Sequence, residues 1–182
     1  MLSELYLPFS TVCLTEIKLE VDQSFLPNTE LPGYSFTFQP SLSNAGGVGF
    51  YIKEDQLFTT RPDLTLSTND FEALWVEMQN GSQHNMICGV IYRHPQGNMQ
   101  NFMDFLNSTI EKIDRENTFC IILEDFNLDL LKLDSHPPCL LLLKNYRETK
   151  YYVKPLCCLN FITKQTIFLV IRANVSRKQN SN

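Results

Sequence analysis

Asp125 and Asn127 are the residues of this sequence best placed to do chemistry together. They follow a short apolar run at residues 120–123, within the stretch FCIILEDFNLDLLKL. Such a run, bounded by polar residues, is typical of a strand buried on both faces. Residues two apart on an extended backbone point the same way, so this carboxylate and this amide could orient a water molecule and donate to a phosphate oxygen. The alternative is a strand exit whose short polar side chains only cap their own backbone.

Two further apolar runs also end in polar residues. The stretch TVCLTEIKL at residues 11–19 carries Thr15 and Glu16 at its tip, and MICGVIYRHP at residues 86–95 ends in Tyr92 followed by Arg93 and His94. Strand tips hold polar groups at a rigid edge, which is where chemistry usually occurs in layered α/β folds. The three strand tips could therefore converge on one rim.

Six motifs resemble, in order and spacing, one known family. This is the endonuclease/exonuclease/phosphatase superfamily, and within it the apurinic-type endonuclease domain of non-LTR retrotransposons. The motifs cover roughly residues 3–139: CLTE (13–16), ELPGY (30–34), GGVGFYIK (46–53), FEALWVEM (71–78), CGVIYRHP (88–95) and ILEDFNLDLL (122–131). Each motif alone is weak, and the six together are a strong signal.

The resemblance implies an α/β fold, a four-layer α/β/β/α sandwich. It also implies that the strands ending at Glu16, Tyr92 and Asp125 lie in one mixed sheet with their tips at a common rim. Residues 1–139 would form an incomplete domain of this kind, keeping mostly one mixed sheet with flanking helices. The partner sheet would be largely absent, leaving the inner face of the first sheet uncovered unless residues 140–171 cover it. Within this domain the apolar stripe of residues 99–113 predicts a helix. Asn80 and Gly81 predict a hairpin between the strands on either side.

The resemblance also implies roles for the polar strand tips. Glu16 matches the glutamate that binds the catalytic Mg²⁺, and Tyr92 matches the tyrosine that contacts the scissile phosphate. Asp125 matches the aspartate that orients or activates the attacking water, and Asn127 the asparagine that steadies the phosphate. The logic is electrostatic, because a cation and amide donors offset the charge that develops on a phosphodiester in the transition state. Mg²⁺ and DNA are thus the implied cofactor and partner.

The sequence also departs from the family pattern. The glycine before the catalytic aspartate is Glu124 here, and the threonine after the metal glutamate is Ile17. The family's first strand, its downstream Asp and Asn pair and its terminal Ser-Asp-His motif have no match. We interpret His94 and His136 as loop histidines and not as replacements for the catalytic histidine. The chain is therefore predicted to be an inactive fragment of a Mg²⁺-dependent DNA endonuclease. The alternatives are a non-catalytic interaction module or remnant and, third, a lipid or inositol phosphatase on the same fold.

Charge divides the chain near residue 139. Residues 1–139 hold 7 Lys and Arg against 19 Asp and Glu, a net charge of −12, whereas residues 140–182 hold 8 against 1, a net charge of +7. The resemblance stops at the same place, so we expect residues 140–182 to be a divergent basic tail that is poorly ordered at its end. The overall charge of −5 is not typical of a nucleic-acid-binding protein. A bound cation would offset the negative charge of the protein where a phosphate binds.

Composition points to one globular, intracellular protein. Apolar residues make up 43% and charged residues 19% of the 182 positions, which is typical of a single domain with a real core. Three of the six cysteines lie inside apolar strand runs, and none forms a zinc-binding pattern, so reduced thiols in the cytoplasm or nucleus are expected. No stretch is long and apolar enough to predict a membrane span. No obligate protein partner is evident.

Overall fold

The computed structural model describes residues 9–19, 29–42, 46–79, 85–125, 152–155 and 167–172. Asn127 and His136 lie outside these residues, and so does most of 140–182. The backbone of Glu124 and Asp125 belongs to the described part of the chain.

Three strands form a small antiparallel sheet. They are β1 (Thr11–Thr15), β2 (Tyr34–Gln39) and β3 (Val48–Lys53), in the order β1-β3-β2. Along β3 the alternate residues Val48, Phe50 and Ile52 are fully buried, the period of two that one covered face of a sheet requires.

Seven strands form a larger mixed sheet. They are β4 (Phe58–Thr60), β5 (Leu66–Ser67), β6 (Phe71–Met78), β7 (Met86–Arg93), β8 (Phe119–Asp125), β9 (Tyr152–Pro155) and β10 (Ile167–Arg172). The order is β4-β6-β7-β8-β10-β9, with β5 pairing on β6. β6 and β7 pair along their whole length as the predicted hairpin, with Phe71 opposite Arg93 and Met78 opposite Met86. β7 and β8 are parallel, and every other pairing is antiparallel.

The helix α1 (Met99–Arg115) connects the two parallel strands and covers one face of the larger sheet. Its N-cap Asn98 accepts hydrogen bonds from the backbone N–H groups of Gln100 and Asn101, which satisfies two of the otherwise free donors of the first turn. The predicted apolar stripe packs against the sheet around Trp75, through Phe102, Met103, Leu106, Ile110 and Ile113. The helix prediction for residues 99–113 is confirmed.

The opposite face of the larger sheet packs against the small sheet. Val48, Phe50 and Ile52 of β3 meet Leu74, Val76 and Met78 of β6, together with Cys88, Val90 and Tyr92 of β7. The prediction of one common sheet for the strands before Glu16, Tyr92 and Asp125 is therefore wrong, since β1 belongs to the small sheet. The inner face at β6 and β7, expected to be uncovered unless residues 140–171 cover it, is covered by the small sheet instead. An apolar sheet face is stable only when another layer covers it, and β1-β3-β2 is that layer.

The α/β class is confirmed, with a helix, a seven-stranded sheet and a three-stranded sheet stacked in that order. Within residues 140–182, β10 pairs with β8, and β9 extends the edge beyond it. The boundary near residue 139 and the poor order of the end of the chain stay predictions. No helix in the described part of the chain has both the length and the apolar character needed to cross a bilayer.

The cysteines of the core strands act as small apolar residues. Cys88 and Cys120 are buried, and burial raises the pKa of the Cys88 thiol to about 12. Burial raises the pKa of Cys13 and Cys120 as well. A thiol with a raised pKa stays protonated at neutral pH, so these three are poor nucleophiles and poor metal ligands.

Gly89→Ala should destabilise the fold, because Gly89 lies opposite Trp75 and the added Cβ would be 2.5 Å from the indole ring. Overpacking of this kind costs about 1–3 kcal/mol. Urea unfolding followed by tryptophan fluorescence measures the loss. Thr59→Ala, on an exposed position of β4, is the control and should change the free energy of unfolding by less than about 0.5 kcal/mol. Equal effects of the two substitutions would contradict the packing of Gly89 against Trp75.

Candidate active site

Tyr92 and Asp125 lie side by side at the ends of β7 and β8. The two strands are parallel, and Tyr92 is the register partner of Asp125. Paired strands lie about 4.8 Å apart, so this register brings the two backbones together at one edge of the sheet. α1 makes the arrangement possible, because parallel neighbours need a crossover connection and not a tight turn.

Glu16 reaches the same edge from the other sheet. The Tyr92 hydroxyl donates a hydrogen bond of 2.7 Å to Glu16 Oε1, across 76 residues of sequence. Tyr92 is 2% exposed and packs between the sheets, whereas Glu16 is exposed. The hydrogen bond thus joins a rigid buried ring to an accessible carboxylate.

The backbone at Glu16 adopts a left-handed conformation. Glu16 has φ of 55° and Lys18 has φ of 52°, values that cost non-glycine residues roughly 1–2 kcal/mol each. Gly46 and Gly47 hold this turn, since their carbonyls accept hydrogen bonds from Lys18 N at 2.8 Å and Ile17 N at 3.3 Å. Strain of this kind persists only where the surroundings fix it, and it is concentrated at functional sites.

A second group of polar residues, centred on Glu72, lies next to the Glu16–Tyr92 pair. The sequence patterns did not predict this group. Glu72 is 0% exposed, and its Oε1 accepts a hydrogen bond of 2.6 Å from Ser41 Oγ and lies 2.7 Å from His94 Nε2. The His94 ring meets the Tyr92 ring edge-on, with 5.2 Å between centroids. One signal for Glu72 was available. It continues the face of β6 that carries Leu74, Val76 and Met78, and an acidic residue at such a position needs a buried partner.

Glu16 is chemically suited to magnesium. Mg²⁺ prefers hard oxygen ligands and keeps several waters, so one accessible carboxylate can anchor it. The Glu16 carboxylate is exposed and uses Oε1 for the Tyr92 hydroxyl, which leaves the group accessible to an ion. The described side chains contain no cluster of three or more His, Cys, Asp or Glu residues arranged to hold a metal. Among the described side chains, the donor set fits a Mg²⁺ ion that keeps most of its water ligands.

The chain has a known fold, the endonuclease/exonuclease/phosphatase fold, as three solved structures show. The chain superposes on the endonuclease domain of TRAS1, a telomere-specific non-LTR retrotransposon, with a TM-score of 0.51 and 13% identity, covering 78% of this chain and 66% of that domain. For the human Nocturnin catalytic domain with bound sulfate the TM-score is 0.55 and the identity 18%, over 90% and 68% of the two chains. For the Xenopus laevis APE2 catalytic domain the values are 0.51 and 14%, over 90% and 72%.

No protein-family model and no curated protein matches the sequence. At 13–18% identity the structural likeness defines the fold and does not by itself define the activity. The chain spans just under two thirds of the length of the TRAS1 domain.

The structure brings three of the four predicted site residues to one edge. Glu16 and Tyr92 are in direct contact, and the Asp125 backbone is in register with Tyr92. Asn127 lies outside the described residues. The roles of all four residues remain predictions.

The Glu16–Tyr92 hydrogen bond can be tested by a double-mutant cycle. Tyr92→Phe should lower the free energy of unfolding by about 1 kcal/mol, the typical contribution of such a bond. In a Glu16→Ala background the same change should cost much less, because the acceptor is already gone. Chemical denaturation of the four proteins gives the coupling energy. Tyr34→Phe, whose hydroxyl donates to the Phe9 carbonyl, is the control and should show no coupling to Glu16. Full additivity of Tyr92→Phe and Glu16→Ala would argue against the bond.

Proposed function

We propose that this chain is part of a Mg²⁺-dependent DNA endonuclease domain of the retrotransposon type. The observation that carries the proposal is the 2.7 Å hydrogen bond between Tyr92 and Glu16. The bond joins Tyr92, which matches the phosphate contact of the family, to Glu16, which matches the metal ligand. The two residues meet at the edge where β8 ends at Asp125. The chain shares its fold with the endonuclease domain of TRAS1, a non-LTR retrotransposon, which is consistent with this proposal.

Each residue has a distinct task in this proposal. Glu16 supplies an oxygen ligand to Mg²⁺, and the ion, when bound, offsets the negative charge on the phosphate. Tyr92 donates its single hydroxyl proton to Glu16 Oε1 in the metal-free site. Once Glu16 binds the ion, the same hydroxyl would turn and donate to a phosphate oxygen instead. Asp125 aims a water molecule at phosphorus, and Asn127 donates an amide N–H to an oxygen of the same phosphate.

The chain alone is expected to turn over very slowly. The resemblance assigns proton transfer to the histidine of a Ser-Asp-His motif, a triplet that does not occur in this sequence. His94, near Tyr92, is bonded to the buried Glu72 carboxylate. General acid–base catalysis is typically worth about 10²–10⁴ in rate, and a lost stabilising donor costs about 10²–10³. Binding of metal should therefore be easier to detect than cleavage of DNA.

The metal site is tested with Mn²⁺, whose paramagnetism broadens nearby NMR signals. In protein labelled with ¹³C-tyrosine, Mn²⁺ should broaden the Tyr92 ring signals before those of the other tyrosines, and Mg²⁺ should reverse the effect. Glu16→Gln should abolish the selectivity, because the amide is a poor ligand. Glu54→Gln, an exposed glutamate after β3, is the matched control and should leave it unchanged. Selective broadening of the Tyr92 signals that persists in Glu16→Gln would refute the metal site.

The activity is tested by nicking of supercoiled plasmid DNA by the purified chain, with and without Mg²⁺. We expect no detectable nicking, because this sequence lacks the Ser-Asp-His histidine that would transfer the proton. Mg²⁺-dependent nicking that disappears in both Glu16→Ala and Asp125→Ala would show that the chain is an active endonuclease. Absence of both nicking and selective Mn²⁺ binding would instead favour a non-catalytic module or remnant on the same fold.

A further inference from the structure

We propose that Glu72 is the positioning residue of this site and fixes Glu16 and Tyr92 in their mutual geometry. The inference rests on the proposed function for its meaning, since it concerns the same metal and phosphate site. It does not assign Glu72 a contact with metal or substrate. Two chains of contacts, one toward each member of the pair, carry it.

The first chain of contacts runs from Glu72 to the backbone of Glu16. Gly46 lies directly against the carboxylate, so that a Cβ added there would be 2.9 Å from Glu72 Oε2 and 3.1 Å from Oε1. The Gly46 carbonyl accepts the hydrogen bond from Lys18 N, two residues beyond Glu16. Glu72 therefore buttresses the glycine turn that keeps Glu16 in its left-handed conformation.

The second chain of contacts runs from Glu72 to Tyr92. Glu72 is the cross-strand partner of Tyr92 in the β6–β7 pair, and it bonds His94, two residues after Tyr92. The His94 ring packs edge-on against the Tyr92 ring, so the Glu72–His94 contact limits how far the phenol can tilt. One carboxylate thus acts on both partners of the hydrogen bond between the two sheets.

The burial of Glu72 indicates a role beyond packing. A fully buried carboxylate is costly unless it is paired and hydrogen-bonded. Here Oε1 has two partners, whereas Oε2 is buried and has no hydrogen-bond partner among the described residues. An apolar side chain of similar size would fill the same space between the sheets without this cost. What such a side chain could not do is hold Ser41 and His94 by hydrogen bonds.

The test compares Glu72→Gln with Glu77→Gln on the same strand. Glu77 bonds Arg61 and Asn85, on the other face and toward the other end of β6, so its loss removes a carboxylate without touching the site. Two readouts are taken from ¹³C-tyrosine-labelled protein, with Tyr92 assigned by the signals missing in Tyr92→Phe. They are the metal-free chemical shift of the Tyr92 ring and the Mn²⁺ concentration that half-broadens it. Melting temperature is recorded for every variant.

Glu72→Gln is expected to move the Tyr92 shift toward its value in Glu16→Gln and to raise the half-broadening Mn²⁺ concentration about ten-fold. Loss of a group that orients a metal ligand typically weakens metal binding by about 10–100-fold. Glu77→Gln should leave both readouts unchanged even where its melting temperature falls. If Glu72→Gln lowers the melting temperature but matches Glu77→Gln in both readouts, Glu72 is only a structural residue and the proposal is overturned.

Two further outcomes are separated by the design. If the wild-type chain shows no selective Mn²⁺ effect, the proposed metal function fails, and the metal-free Tyr92 shift still decides whether Glu72 positions the pair. If Glu72→Gln does not fold, His94→Gln and Ser41→Ala remove its partners one at a time. His94→Gln should then move the Tyr92 shift as predicted for Glu72→Gln. An unchanged Tyr92 shift in both partner variants would overturn the proposal.

Discussion

The hairpin of β6 and β7 is buried on both faces, and the rest of the structure depends on that constraint. One face carries Trp75 and packs against α1, and the other carries Leu74 and Val90 and packs against the small sheet. The fold needs both α1 and the small sheet, because an apolar sheet face exposed to water loses the burial that stabilises it. The packing is tight on the helix side, where a Cβ added at Gly89 would lie 2.5 Å from the Trp75 ring.

This double burial also determines where the candidate site lies. Tyr92 ends the face of β7 that is turned toward the small sheet, so its hydroxyl emerges where the two sheets part. Glu16 follows β1 at the corresponding edge of the small sheet. α1 returns the chain to start β8 in parallel with β7, which brings Asp125 to the same edge. The site thus forms at the edge where the two sheets end together.

Much of this arrangement could be predicted from periodicity. The apolar stripe of α1 has a clear period, and the helix predicted from it is present in the structure. The sheet to which β1 belongs could not be predicted, because a period of two indicates a covered face without indicating its partner strand. The left-handed backbone at Glu16 could not be predicted either, because no glycine or asparagine occupies that position. Glu72 was missed because its partners Ser41 and His94 lie 31 and 22 residues away in sequence.

The hydrogen bond between Tyr92 and Glu16 makes the site sensitive to how the two sheets dock. Its ends belong to different sheets, and a relative slide of about 1 Å would carry a 2.7 Å contact past the distance at which hydrogen bonds hold. Substitutions at Val48, Leu74 or Val90 would therefore act on the site without touching it. Over evolutionary time such interface positions should change in concert, with each accepted substitution restricting the next. We therefore expect the effect of a substitution at one position between the sheets to depend on the residues at the other interface positions.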